Sequence, residues 1–214
     1  MASIKVLFVG NSFTQRNDLP GRFSAMAAEK DVQVQHKLIS RGGASLRMHW
    51  NAGLAAQAIA TEGYDYVVLQ EQSTLPVKNA KRMADNVRLF DTAIKQASSK
   101  TVLYMTWAKQ HAALSQEAIT AAYRSIGAEI GALVVPVGAV WQRFLAERDQ
   151  PQLYDRDGSH PSVAGTYFAA CVFLASLLKI NPIGIEAGSS GLKQSDAEVL
   201  QTGAIEFIAK QALN

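Results

Sequence analysis

Three polar side chains in this sequence are of the types that nucleophilic catalysis needs. Ser12 stands in Gly10-Asn11-Ser12-Phe13-Thr14, and Asp157 and His160 stand three apart in Tyr154-Asp155-Arg156-Asp157-Gly158-Ser159-His160-Pro161-Ser162. An unassisted hydroxyl is a poor nucleophile at neutral pH. It becomes useful when a base lies within hydrogen-bond reach and a third group orients that base. His160 with Asp157 can supply both. Asp155 lies five residues before His160 and is the weaker partner, and His111 is a rival base with no aspartate close to it in sequence. The single cysteine, Cys171, falls inside the apolar run Phe168 to Leu178 and reads as a small buried hydrophobe. One cysteine excludes an internal disulfide and a Cys/His metal site.

The elements that must position these residues follow from periodicity. Val6 to Val9 is an unbroken apolar run ending abruptly in Gly-Asn-Ser, and a helical segment opens around Asp18-Leu19-Pro20. Run, small-residue turn and helix make the first half of a βα unit. Similar runs recur at Val32 to Ile39 (alternating, hence nearer a sheet edge, with His36 outward), Tyr64 to Leu69, Thr101 to Thr106 and Leu133 to Val137. Between them lie helical patterns at Leu46 to Ala60 (His49 structural), Asn79 to Ser98, Ser115 to Ile130 with Ser115 as N-cap, and Gly138 to Arg148. Ser162 to Ile180 is an apolar helix, Asn181 to Gly191 a loop, and Ser195-Asp196-Ala197-Glu198 a capping box opening a last helix over about 195–213. That last helix is expected to cover the domain or a partner subunit.

Five strands alternating with helices predict one three-layer α/β/α domain over residues 1–214. The expected sheet is parallel, five-stranded and doubly wound, in the flavodoxin-like order 2-1-3-4-5. Its ligand crevice would lie at the carboxyl ends of the strands, beside Ser12.

Composition narrows the function classes. The chain has 214 residues, a formal charge of +3 with Lys and Arg scattered, and no basic block suited to nucleic acid. No signal peptide precedes the first strand and no run approaches membrane-span length, so a cytoplasmic location is the default expectation.

Gly10-Asn11-Ser12 resembles the first block of the SGNH/GDSL hydrolase superfamily, and Asp157-Gly158-Ser159-His160-Pro161 resembles its last. The resemblance implies the fold above and a serine esterase with Ser12, Asp157 and His160 as the triad. It also implies an oxyanion hole in which a second-block glycine amide, best matched by Gly43, joins the amide of Ser12. The third block usually reads Gly-x-Asn-Asp, but here the strand runs into Gln70-Glu71-Gln72-Ser73. Gln72 or Gln70 would then supply the carboxamide donor. The two residues are two apart and in an extended chain would point the same way, Glu71 pointing oppositely as a solvated or packed acid.

Asn11 and Trp107 are candidates for the substrate pocket, and Trp107 fits plain core packing equally well. The expected substrate is a small-molecule carboxylic ester with a short acyl group such as acetyl, for example on carbohydrate, with no cofactor or metal. Two other readings compete: a flavodoxin-like phosphate- or flavin-binding module, which would leave Asp157 and His160 without a role, and an inactive carbohydrate-binding relative, in which the Ser12 hydroxyl would lie out of reach of His160.

Overall fold

The computed structural model describes residues 2–211. Five parallel strands, β1 Ala2–Gly10, β2 Val32–Ser40, β3 Tyr66–Leu69, β4 Lys100–Tyr104 and β5 Leu133–Val135, form one sheet in the order β2-β1-β3-β4-β5. This is the expected doubly wound order. β1 is flanked on both sides and its Val6, Leu7, Phe8 and Val9 are all fully buried, as a continuous apolar run requires. Val6 and Phe8 face one layer, Leu7 and Val9 the other. At the edge, β2 exposes Gln33, Gln35 and Lys37 in alternation, and His36, in phase with Val34 and Leu38, is exposed as well.

The nucleophile segment follows β1 as α1 Ser12–Gln15, a 3₁₀ turn Arg16–Asp18, and α2 Leu19–Ala28, capped by the Asp18 carboxylate accepting from the Gly21 amide at 3.1 Å. The helix expected over Leu46 to Ala60 breaks at Gly53 into α3 Leu46–Ala52 and α4 Leu54–Glu62. After β3 comes a single helical turn, α5 Leu75–Lys78, then α6 Ala80–Gln96 with Asn79 as its cap. α7 Gln116–Ile130 lacks the expected Ser115 side-chain cap, because that hydroxyl donates to the Ala112 carbonyl. α8 Val137–Glu147 follows β5, and α9 Val163–Phe173 continues into a π-helical stretch, Leu174–Leu178. α10 Gln194–Gln211 begins one residue earlier than expected, so Ser195 lies inside it rather than capping it. The expected extension to residue 213 runs past the described residues.

Two apolar layers cover the sheet. α2, α8, α9 and α10 bury Phe23, Trp141, Phe168 and Phe207 against Phe8 and Tyr104 on one face. α4, α6 and α7 bury Ile59, Phe90 and Tyr123 against Leu7, Val67 and Leu103 on the other. Through Ala197, Leu200, Ala204 and Phe207, α10 covers its own domain. No described helix is long and apolar enough to cross a membrane. Cys171 is fully buried, and burial pushes its thiol far above the usual cysteine range, leaving it inert.

Candidate active site

Ser12 is the first residue of α1, directly beyond the carboxyl end of β1. The turn is shaped by crowding at Gly10: a Cβ there would come within 2.6 Å of Gln70 Oε1 and 2.7 Å of Thr14 Oγ1. Only glycine lets β1 run this close to its neighbours. Asn11 caps the turn, its Oδ1 accepting from the Phe13 amide at 3.1 Å while its Nδ2 donates to the Ala44 carbonyl at 3.0 Å. Its own amide donates to Gln70 Oε1 at 2.8 Å, and the Thr14 hydroxyl donates to the same oxygen at 3.0 Å.

The Ser12 hydroxyl lies 2.9 Å from His160 Nε2, and His160 Nδ1 lies 2.5 Å from Asp157 Oδ2. The Asp157 carboxylate can only accept, so the ring proton sits on Nδ1 and the Nε2 lone pair faces Ser12. Asp157 Oδ1 also accepts from the Ser159 and His160 amides, each at 2.9 Å. The bonds from the His160 side chain, then from these two amides, hold the Asp157 carboxyl well below the usual carboxylate range. His111 is exposed on a different loop, and the Asp155 carboxylate bonds Arg16 and not the His160 ring, although the Asp155 amide donates to the His160 carbonyl at 2.8 Å.

Five further contacts hold the loop that carries Asp157 and His160. Arg16 forms an ion pair with Asp155 at 2.6 Å, and Asn17 Nδ2 donates to the Pro161 carbonyl at 3.1 Å, so the nucleophile segment grips the loop directly. From β4's end, Trp107 Nε1 donates to the Ser159 carbonyl at 3.0 Å and the Gln110 amide to the Gly158 carbonyl at 2.8 Å. The Tyr154 hydroxyl returns a bond to the Ala108 carbonyl at 2.7 Å. Trp107 stacks on Trp141 with ring centroids 3.9 Å apart, and Phe13 sits between Trp107 and His160 at 5.1 and 5.3 Å.

Two amide groups beside Ser12 are unspent. Among the described residues, neither the Ser12 nor the Gly43 N–H enters a hydrogen bond. The first is an orphan donor of a helix start. The second is exposed in a turn at φ +66°, a backbone state that glycine adopts without strain. A donor pair of this kind, next to a hydroxyl and a base, can bind the oxyanion of a tetrahedral intermediate.

The glutamines after β3 separate into two roles. Gln70 is buried with both ends of its carboxamide committed, Oε1 to Asn11 and Thr14, and Nε2 to the Glu71 carbonyl. It braces the nucleophile turn, and at 1% exposure the second N–H of its amide is buried. The chain turns at Gln72 instead of staying extended, so the expected common direction of Gln70 and Gln72 is lost. Gln72 Oε1 accepts from the Thr74 amide and hydroxyl, and its Nε2 has no described partner. Asn11, expected at the pocket, is also a brace: it is 2% exposed and its side chain is consumed by Phe13 and Ala44. Trp107 does line a cavity of about 270 Å³, shared with Trp141, Leu145 and Tyr154, but neither Ser12 nor His160 borders it.

Two positioning groups were not visible as such in the sequence. Glu71 is buried behind the glycine turn, with Oε1 accepting from the Leu46 and Gln72 amides at 3.0 and 2.7 Å and Oε2 from Asn86 Nδ2 at 2.8 Å. Burial is the larger influence and raises its carboxyl above the usual range, against these bonds. His49, also buried, donates Nε2–H to the Gly10 carbonyl at 2.7 Å, and burial lowers its pKa. Each looks structural in a sequence because its partners are backbone groups brought in by other elements.

A parallel α/β/α fold with a Ser-His-Asp chain at the carboxyl edge of its sheet is the architecture of a hydrolase. No protein-family model and no curated protein matches the chain, but solved structures do. A candidate SGNH hydrolase from Slackia heliotrinireducens is 30% identical, with TM-score 0.70 over 82% of this chain and 99% of that one. This chain therefore belongs to the SGNH hydrolases. A DUF4886 family protein from Bacteroides uniformis is 20% identical, with TM-score 0.80 over 98% of this chain and 96% of that one. An acetylxylan esterase from Geobacillus stearothermophilus is 19% identical, with TM-score 0.62 over 82% and 94%. These last two share the fold.

Proposed function

We propose that this chain is a serine esterase acting on carboxylic esters with a short acyl group, acetyl being the first choice, through Ser12, His160 and Asp157. The observation that carries the reading is the 2.9 Å approach of the Ser12 hydroxyl to His160 Nε2, with Asp157 on the other ring nitrogen. In this mechanism the Ser12 oxygen attacks the ester carbonyl carbon as its proton passes to His160 Nε2. The carbonyl oxygen becomes an oxyanion held by the Ser12 and Gly43 amides, with Gln72 Nε2 as third donor. Collapse of the intermediate breaks the bond to the alkoxy oxygen, which takes the proton from His160, leaving acyl-Ser12. Water, deprotonated by His160, then releases the acid and restores the hydroxyl. Asp157 stays ionised throughout and stabilises the imidazolium, in keeping with its depressed pKa. No metal or organic cofactor has a role in these steps.

The short-acyl choice is supported by the compact chain, which spends no long insertion on a lid. The flavodoxin-like alternative gives Asp157 and His160 nothing to do, and the inactive-relative alternative requires a hydroxyl remote from His160.

The test is labelling with a fluorophosphonate followed by peptide mass spectrometry. One adduct on Ser12 is expected, lost in His160→Ala, while Ser12→Ala lowers the turnover of 4-nitrophenyl acetate by on the order of 10⁴-fold. A correctly folded protein that takes no label, or faster turnover of long-chain than of acetyl esters, would contradict the respective half of the proposal.

A further inference from the structure

At the same edge of the sheet a cavity of about 290 Å³ opens between the loops that follow β3 and β4. Its polar lining comprises Ser73, Thr74, Lys78, Lys109, His111 and Ser115, over an apolar floor that includes Ile119. Both walls are tied to the triad machinery. Thr74 holds the Gln72 carboxamide, Ala108 accepts from Tyr154, and Gln110, between Lys109 and His111, is bonded to Gly158.

The charges in this cavity are unbalanced. Among the described residues the side chains of Lys78, Lys109 and His111 have no hydrogen-bond or ion-pair partner, and no carboxylate lines the cavity. On the adjoining helices Lys81 is paired with Asp85, Arg88 with Glu129 and Lys95 with Asp91, while Arg82 and Arg124, like the cavity lysines, have no ion pair among the described residues. The acids near the site are already engaged, Asp155 by Arg16, Asp157 by His160, and Glu71 by buried amides. Two unpaired ammonium groups and an unpaired imidazole lining a concave space, with hydroxyls between them, match an anionic group and repel a cationic one.

We propose that this cavity is a subsite for an oxyanion group carried by the substrate, a carboxylate, sulfate or phosphate, so that the preferred ester is negatively charged away from its acyl group. Neither Ser12 nor His160 borders this cavity, so with a short acyl on Ser12 it is the alcohol part of the substrate that would extend to it, for which an acidic sugar is the simplest chemistry. The inference rests on the esterase reading above. Because the cations are solvent-facing, the attraction is screened by salt and is expressed more in kcat/KM than in kcat.

The experiment compares acetylated methyl glucuronide with acetylated methyl glucoside, and adds the acetylated glucose sulfate and phosphate to separate the three anions. An anionic-to-neutral kcat/KM ratio of roughly tenfold or more at low salt is expected. It should collapse towards one in 0.5 M salt (about a 4 Å screening length), and in Lys78→Gln/Lys109→Gln. In parallel, Ser12→Ala protein is titrated with methyl glucuronide and the His111 ring resonances are followed; they should shift saturably, and not with methyl glucoside. A ratio near one in active enzyme overturns the subsite and leaves the esterase standing, even if His111 shifts, which would then report an adventitious ion only. A saturable shift in protein that hydrolyses no ester supports the subsite and overturns the esterase. No shift and no hydrolysis overturns both.

Discussion

Replacing Asn11 with alanine removes two hydrogen bonds that face in different directions. One caps α1 through the Phe13 amide, and the other reaches across to the Ala44 carbonyl, next to Gly43. A lost cap costs about 1 kcal/mol. A buried carbonyl left without its donor costs about 1–3 kcal/mol. Asn11 is 2% exposed, so water does not readily replace either partner. The sum, about 2–4 kcal/mol, corresponds to a fall in Tm of roughly 5–15 °C for a chain of this size. The catalytic effect is separable. The Ala44 bond is what ties the glycine turn to the nucleophile turn, and misplacing one oxyanion donor costs on the order of 10²-fold in kcat. Asn11→Asp sharpens the test, since it keeps the cap, with a carboxylate favoured at a helix start, but sets an oxygen against the Ala44 carbonyl. Its kcat should fall as far as that of Asn11→Ala. Thermal melting and steady-state kinetics on 4-nitrophenyl acetate measure both quantities. If KM rises while kcat and Tm hold, Asn11 is a pocket wall and the bracing argument is wrong.

Two other substitutions probe the same frame. In Gly10→Ala the added methyl would sit within 2.6 Å of Gln70 Oε1, displacing the acceptor of the Asn11 amide; a loss of about 1–3 kcal/mol with slower fluorophosphonate labelling is expected, and wild-type labelling would show that the turn tolerates the crowding. Glu71→Gln tests the buried carboxyl: its raised folded pKa means that the folded state favours the proton, so the stability it contributes is full below the ordinary unfolded value and is lost as pH rises through the folded one. The Tm of wild type minus that of Glu71→Gln should therefore fall as pH rises above the ordinary glutamate value of about 4.3, and a difference independent of pH would remove burial as the dominant influence.

The strand order and the Ser12, Asp157 and His160 positions were legible because each is written locally. A buried apolar run ending in Gly-Asn-Ser specifies a strand and the turn beyond it, and Asp157 and His160 meet within one loop. What was not legible depends on partners from far along the chain. Asn11 reads as a polar residue beside a nucleophile, and only the arrival of Ala44 from the next βα unit makes it a brace. Trp107 reads as a pocket wall or as core, and its bond to Ser159, 52 residues away, gives it a third role. Ser195 has the spacing of a capping box, yet the helix starts ahead of it, where Gln194 accepts from the Ala187 amide. In each case the local pattern was compatible with several structures and a tertiary contact selected one.

The run Gln70-Glu71-Gln72 shows how far that selection can go. A strict strand alternation would place both glutamines together, interchangeable as donors. β3 ends at Leu69, and the Leu75 amide bonds back to the Gln72 carbonyl at 3.0 Å, so strand alternation no longer holds and the three side chains take three separate sets of partners. Gln70 goes under the nucleophile turn, Glu71 behind the start of α3, and Gln72 over the loop towards Thr74. The length of a glutamine suits the first role, since its Oε1 reaches both the Asn11 amide and the Thr14 hydroxyl from the neighbouring strand. With Gln70 buried in this way, the more accessible carboxamide donor lies further along the loop. Gln72 is the partly exposed carboxamide of the pair, and its Nε2 has no partner among the described residues. Gln72→Ala should thus lower kcat for acetyl ester by on the order of 10²-fold with little change in Tm, whereas Gln70→Ala should lower both. The reverse pattern, stability lost at Gln72 and catalysis alone lost at Gln70, would exchange the two roles and refute the assignment.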